Sequence, residues 1–350
     1  MVTRIARLAK VTEVTWARAV VGETKAKPSP VGLARVTIIS AMKTKAYLAT
    51  VLFLAVAAVA QNPQASSGPS DSAMDLVKQA RKANSDGKQD DAIALYRKAQ
   101  QISPNLFEAH IGAGVALDLK AEHDEARREF AKAIEVAPPE TKVQALKSMA
   151  ISYAFTRQPN ESAKYEQQAF EPQIAKPDYY AAGETADELA RIYLESNDPT
   201  NALKWYRTGY ETGLKEPNIS QARKDLWEFR WENAQARVAA RQGKAADAQK
   251  HVAAAKAILD RGTNPDQTRF FPYLTGYVAW ATGDYKTAIS ELQKADQRDP
   301  FNLMMEAESY DKTNDSNQAM DLYRKIMNFN THNPPNAFAR PVAKQKVEGK

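Results

Sequence analysis

The sequence predicts an all-α chain, a curved solenoid of about seven helix-turn-helix repeats. From about Ala73 to Asn328, small and apolar residues fall three, four and seven apart, the period of one helix face. Stretches rich in Val, Ile and Thr with period-two alternation are lacking, so strands have no support. One pattern also recurs along the chain, and a repeated unit too small to bury its own apolar face must stack on its neighbours.

The pattern is plainest in Ala92, Tyr96 and Ala99, closed by Pro104; thirty-four residues later come Ala126, Phe130 and Ala133, closed by Pro138. Further copies start at Ser162, Ala202, Ala248, Ala288 and Ala319, giving successive intervals of 34, 36, 40, 46, 40 and 31 residues. Twelve places ahead of each anchor stands another small residue: Ala80, Gly114, Ala150, Ala190, Ala236, Gly276 and Ala307. Each repeat is therefore a helix pair whose backbones approach at the small residues, with Tyr96, Phe130, Tyr206 and Tyr323 filling the next layer. Asp86-Gly87 and Thr282-Gly283-Asp284 read as turns, the glycine taking the left-handed conformation that ends one helix and the aspartate capping the next.

With these residues in view, the chain resembles the tetratricopeptide repeat family over roughly residues 73–328. The clearest copies are Leu76 to Pro104, His110 to Pro138 and Tyr273 to Pro300. The resemblance implies a right-handed superhelix whose first helices line a concave groove, a protein or peptide partner, and neither catalysis nor a cofactor. Repeats three to five lack the closing proline, and Gly209 to Phe229 is longer than a standard connection, so the regular path is expected to bend there.

The 350 residues are 43% hydrophobic and 26% charged, close to the globular average, and contain no cysteine, which excludes disulfides, thiol catalysis and cysteine zinc sites. The net charge of +6 is not spread along the chain. Of 48 basic and 42 acidic residues, nine and two lie in the first sixty, leaving 39 against 40 for residues 61–350. The basic part reads as a leader. Met42, Lys43 and Lys45, the apolar run Leu48 to Val59, and Ala58-Val59-Ala60 before Gln61 have the form of a signal peptide over residues 42–60. Its apolar run is shorter than the roughly 20 residues that span a bilayer, so no stable membrane span is expected after cleavage. The corresponding location is periplasmic or secreted. Residues 1–41 are expected to be a mis-assigned upstream start or a disordered basic extension, with an organelle transit peptide as the third reading. Residues 61–72, rich in Pro, Ser, Gln and Gly, are expected to form a flexible linker. Residues 329–350, with Pro334, Pro335 and Pro341, are expected to be an extended basic tail.

Catalytic patterns are absent from the sequence: there is no His-Glu-x-x-His pair, no phosphate-cradling glycine loop, no dinucleotide fingerprint and no Gly-x-Ser-x-Gly elbow. The four histidines, His110, His123, His251 and His332, read as packing or surface residues, and no metal or cofactor is expected. A near-neutral processed chain also lacks the broad basic footprint that nucleic-acid binding needs. Propagating the inward spacing of the first helices gives Arg230, Asn233, Arg237 and Arg241 in the fifth repeat and Phe270, Tyr273, Tyr277 and Trp280 in the sixth. The fourth adds Glu184, Asp187, Arg191 and Glu195. Arg191, Arg230, Asn233, Arg237, Arg241, Tyr273, Tyr277 and Trp280 are accordingly the candidate groove for an extended segment carrying acidic and aromatic side chains. The competing account is that the arginines pair within the chain and the aromatics pack between repeats. The functional expectation is an exported, non-catalytic interaction scaffold, the alternative a structural subunit or assembly factor of a cell-envelope complex.

Expressed from Met42 in a secreting bacterial host, the chain is expected to mature with Gln61 or a close neighbour at its N-terminus. N-terminal sequencing that returns an intact Met42 contradicts the leader assignment.

Overall fold

Seven helix pairs follow one another with short turns. In the computed structural model, which describes residues 69–349 except Lys176, the pairs are α1 (Pro69–Ser85) with α2 (Gln89–Ile102), α3 (Phe107–Lys120) with α4 (His123–Val136), and α5 (Lys142–Phe155) with α6 (Pro159–Ala175). Then come α7 (Tyr179–Glu195) with α8 (Pro199–Gly213), α9 (Gln221–Arg241) with α10 (Ala245–Leu259), α11 (Phe271–Thr282) with α12 (Tyr285–Leu292), and α13 (Pro300–Lys312) with α14 (Ser316–Ile326). A fifteenth helix, α15 (Pro334–Glu348), follows the last pair, and no strand occurs among the described residues. The expected leader, the extension before it and residues 61–68 of the expected linker lie outside the described residues. Helix α1 begins at Pro69, inside the segment expected to be linker, because proline suits the first turn and Asp71 stands where the helix dipole favours a negative charge.

Every crossing predicted from the repeat is present. Ala80, Ala150, Ala190, Ala236 and Ala307 on the first helices, and Ala92, Ala126, Ser162, Ala202, Ala248, Ala288 and Ala319 on the second, are all buried. Gly114 and Gly276 complete the set. A Cβ built on Gly114 would lie 2.5 Å from the Phe130 ring, and one on Gly276 2.7 Å from Leu292. The hydroxyl of Ser162 donates across its crossing to the carbonyl of Ala150 at 2.6 Å.

The turns within the pairs are equally regular. Five residues before each anchor the backbone is left-handed: Gly87, Ala121, Arg157, Asn197, Gly243, Gly283 and Asn314, with φ between +53° and +87°. In each turn the next amide bonds the carbonyl five residues back, as in Lys88 to Ala83, Glu122 to Leu117 and Asp315 to Tyr310, all at 2.9 Å. This is the helix C-terminal motif that satisfies carbonyls otherwise left open. Aspartates then cap several second helices; Asp198, Asp284 and Asp315 each accept an amide hydrogen bond three residues on.

The longer intervals have local causes. Helix α9 is 21 residues long, and Trp227 near its start is fully buried against Gly183 of α7 and Gly213 of α8. Asp225 on the same turn accepts from Arg261 at 2.7 Å and Thr263 at 2.6 Å, and Asn264 donates to the Ala222 carbonyl. The insertion after α10, including a 3-10 helix at Pro265–Phe270, is thus pinned back onto α9.

The expected extended tail is a helix. Asn333 accepts from the Asn336 amide at 3.0 Å, and Pro334 and Pro335 follow in the first turn, where they remove only N–H groups that have no intrahelical acceptor. Proline density was the wrong guide there; its position behind a capping asparagine is a helix start. Helix α15 packs on α5, α7, α13 and α14, and Ala337, Phe338, Ala339 and Ala343 are buried in the main apolar core.

Four places after each anchor the repeat sets a large side chain, and in the third repeat that residue is Glu166. It has no exposed surface and neither oxygen has a hydrogen-bond partner. Burial, and Glu188 beside it, push its carboxyl well above the ordinary range against the pull of Lys147. A carboxyl raised in the folded state keeps its proton there, so the folded chain loses stability as pH climbs above the ordinary value of 4.5 toward the folded value.

Two predictions follow from the packing. Ala126→Leu or Ala288→Leu, each forcing a larger side chain into a closed crossing, is expected to destabilise by about 1–3 kcal/mol, read from denaturant midpoints. Glu166→Leu is expected to raise Tm, by more at pH 8 than at pH 4.5; an equal effect at both values would mean that the carboxyl is not held protonated.

Candidate functional site

The residues predicted to line the groove do lie together, on facing turns of α7, α9 and α11, but most of them are spent on one another. Arg230 donates to Glu184 at 3.0 Å and to the Tyr180 hydroxyl at 3.3 Å, its guanidinium lying 4.8 Å from the Trp227 ring centre. Arg237 is buried; its Nε donates to Asn233 at 2.9 Å and its Nη1 to the Tyr273 hydroxyl at 3.3 Å. Tyr277, with no exposed surface, donates to Glu195 at 3.0 Å, and Arg241 reaches the same carboxylate at 3.7 Å. Arg191 lies over the Phe301 ring at 5.0 Å, and its Nε and one terminal nitrogen are buried without a hydrogen-bond partner. Phe270 is exposed, with the Arg269 guanidinium 4.8 Å from its ring centre.

The electrostatics are those of a closed interior. Desolvation works against the charge of Arg237, but Tyr206, Tyr273, Tyr277 and Glu195 around it more than compensate, so its pKa is raised. Burial pushes Asp187 up to about 7, with Arg230 and Arg237 opposing. Within the wall Arg230 is met by Glu184 and Arg241 by Glu195, while burial holds Asp187 partly protonated at neutral pH.

Asn233, Arg237 and Tyr277 are buried rather than open to a ligand, and α7 and α11 come close enough for Tyr277 to donate to Glu195 at 3.0 Å. The intramolecular account holds for Arg230, Arg237 and Arg241.

What remains open is the rim. Arg241 and Trp280 line a cleft of roughly 540 Å³ together with Ala281, Tyr285, Glu308, Asp311, Lys312 and Lys346. Trp280 donates its indole N–H to Glu308 at 2.9 Å, holding the ring in place, and Lys346 of α15 pairs with Asp311 at 2.7 Å. Lys312 is exposed and makes no ion pair among the described residues. The cleft thus offers one unpaired cation beside two aromatic side chains. Of its lining, only Arg241 and Trp280 were predicted; Tyr285, Lys312 and Lys346 come from three other helices, and no single-helix spacing links them.

The histidines make contacts within the chain. His110 is buried, its two ring nitrogens facing Glu129 at 2.7 Å and the Pro104 carbonyl at 2.9 Å. His123 and His332, distant in sequence, meet on Asp118, at 2.9 and 2.8 Å, where Ser152 also donates at 2.9 Å. Burial alone would raise the Asp118 pKa, but hydrogen bonds from the two histidines outweigh it and hold the carboxylate ionised. Among the described residues no group of three or more His, Asp or Glu side chains is arranged to hold a metal ion, and no helix is long and apolar enough to cross a membrane.

Residues 83–150 and 273–302 each match a family model described as tetratricopeptide repeat. No curated protein matches the chain. Among solved structures it is similar to a tetratricopeptide repeat protein from Parabacteroides merdae, with a TM-score of 0.46 and 12% identity over 79% of this chain and 98% of that one. It is also similar to the TPR-like repeats of a putative kinesin light chain from Podosopora anserina, with a TM-score of 0.45, 15% identity, and 55% and 97% covered. Pseudomonas aeruginosa pilF gives a TM-score of 0.41 and 15% identity over 65% of this chain and 92% of that one. The two matched segments lie in the first half of the array and at its sixth helix pair, and the same crossing on buried small residues recurs in all seven pairs, so the described fold is an all-α array of tetratricopeptide-like helix pairs.

Proposed function

We propose that the protein is an exported, non-catalytic scaffold that holds a partner protein by a short segment seated in the rim cleft. The observation that supports this reading is the pairing of Lys312, which has no internal carboxylate, with the exposed edges of Trp280 and Tyr285 in one open cleft. A segment with one carboxylate and a flat side chain a few residues away matches that chemistry: the lysine attracts the charge, and the rings supply a large contact at low cost in ordering. The fixed Trp280, tied by Glu308, adds preorganisation. Export rests on the leader at residues 42–60.

The test compares capture from an extract of exported proteins by the parent and by the double variant Lys312→Glu with Tyr285→Ala. Both side chains lie at the surface of the cleft, so helicity and Tm are expected to be unchanged. A partner bound by the parent is expected to lose about tenfold or more in affinity to the variant. A partner that binds both chains equally uses another surface.

A further inference from the structure

Helix α15 is held unevenly along its length. The chain leading into it and its first two turns are tied to the array. Asn330 accepts from Gln89 at 2.8 Å and donates to the Ser85 carbonyl at 3.3 Å, at the first repeat. His332 lies between the Phe130 and Phe155 rings, 5.4 and 5.6 Å from their centres, and reaches Asp118. Pro334, Asn336, Ala337, Phe338 and Ala339 are all buried, with the Arg157 guanidinium over the Phe338 ring at 5.4 Å. Arg340 donates to the Leu119 carbonyl at the end of α3 at 3.0 Å, and also to the carbonyls of Met327 and Phe329.

Past Pro341 the helix changes character. Proline has no N–H to offer the carbonyl four residues back, and its ring crowds that carbonyl, so the bond that would join this turn to Ala337 is missing. Of the residues that follow, only Ala343 is buried, and Gln345 to Glu348 are exposed. Their polar side chains reach the array twice: Lys344 donates to the Lys120 carbonyl at 3.4 Å, and Lys346 pairs with Asp311 at 2.7 Å, its ammonium 5.6 Å from the Tyr323 ring centre. The ion pair is an open one, with 48% of the Lys346 side chain and 26% of Asp311 exposed, and such a pair holds a helix only weakly. A cavity of roughly 410 Å³, lined on the helix by Arg340, Pro341, Lys344, Gln345 and Glu348, adjoins this half, so close packing does not hold it either. Lys346 is at the same time part of the rim cleft.

We propose that residues 342–348 form a flap hinged at Pro341 that closes over the rim cleft, Lys346 leaving Asp311 to join Lys312 on a carboxylate of the bound segment. Its role toward a ligand rests on the rim-cleft reading; the hinge does not. Lys312, at the end of α13, meets the charge first, and the flap supplies a second cation from a different helix. A ligand that touches Lys346 binds the closed flap better than the open one, and so holds it shut. The buried first half of α15 stays in place throughout.

Hydrogen exchange on the unliganded full chain tests the hinge. After correction for intrinsic rates, amides of 342–348 are expected to exchange about tenfold or more faster than those of 338–340, with the step falling at Pro341. Lys346→Gln, which keeps helix propensity, is expected to speed 342–348 by about threefold and leave 338–340 unchanged. A gradual rise toward the chain end, or one rate for both halves, overturns the flap. The ligand role is tested with a pool of eight-residue peptides that carry one glutamate two to four residues from a tryptophan, passed over immobilised chain. Retention by Lys346→Gln is expected to fall about fivefold or more below the parent; equal retention overturns the second-cation role. Lys312→Glu is expected to abolish retention while the step at Pro341 persists. A pool that the parent does not retain overturns the rim-cleft reading and the second-cation role with it, whereas the hinge is decided on the unliganded chain.

Discussion

The close crossing of two helices at a pair of small residues is the contact on which the rest of this molecule depends. Fourteen positions, Ala80 with Ala92 through Ala307 with Ala319, are closed so tightly that a methyl group on Gly114 or Gly276 would meet a neighbouring side chain. The turn between them is fixed by the same geometry. With the second helix forced to pack back at a set place, the chain has two or three residues in which to reverse, and one of them must be left-handed. Glycine, asparagine, alanine and arginine all occupy that position here, so the packing overrides the usual preference where it must. Variation is then confined to where it does no harm, in the connections between pairs and in the length of α9.

From that constraint the character of the inner face follows. Close stacking brings the first helices of non-adjacent repeats within reach of each other, as in the bond from Tyr277 to Glu195. Side chains that would line a groove in a more open array become a buried polar wall, and their hydrogen bonds are internal. Such a wall tolerates little change, because loss of Glu184 or Glu195 would leave Arg230 or Arg241 without its carboxylate. What stays open to solvent is the rim, where Trp280 and Lys312 lie.

Much of this was legible in the sequence, and the boundary between what was and was not is physical. The anchors, their upstream partners and the two glycine turns were visible because they are local or repeat at short intervals. The left-handed turns at Ala121, Arg157, Asn197 and Asn314 were not, since those residue types do not announce the conformation. The inward direction of Arg237 and Tyr277 could be read from helical spacing, but whether they remained accessible depended on helices 82 residues apart. The last helix was misread because three prolines suggested an extended chain; a neighbour 214 residues away, Asp118, is what receives His332. Long-range closure leaves no periodic trace.

The return of the C-terminal helix to the first repeats alters the mechanics of the array. A stack in which each unit touches only its neighbours behaves as a spring, extending under load and fraying from its ends one unit at a time. A strap from the last repeat to the first, through Asn330, His332 and Arg340, turns that spring into a strut. Its two ends can no longer part without breaking the strap, so stiffness becomes a property of the whole and is set by one helix near the end of the chain.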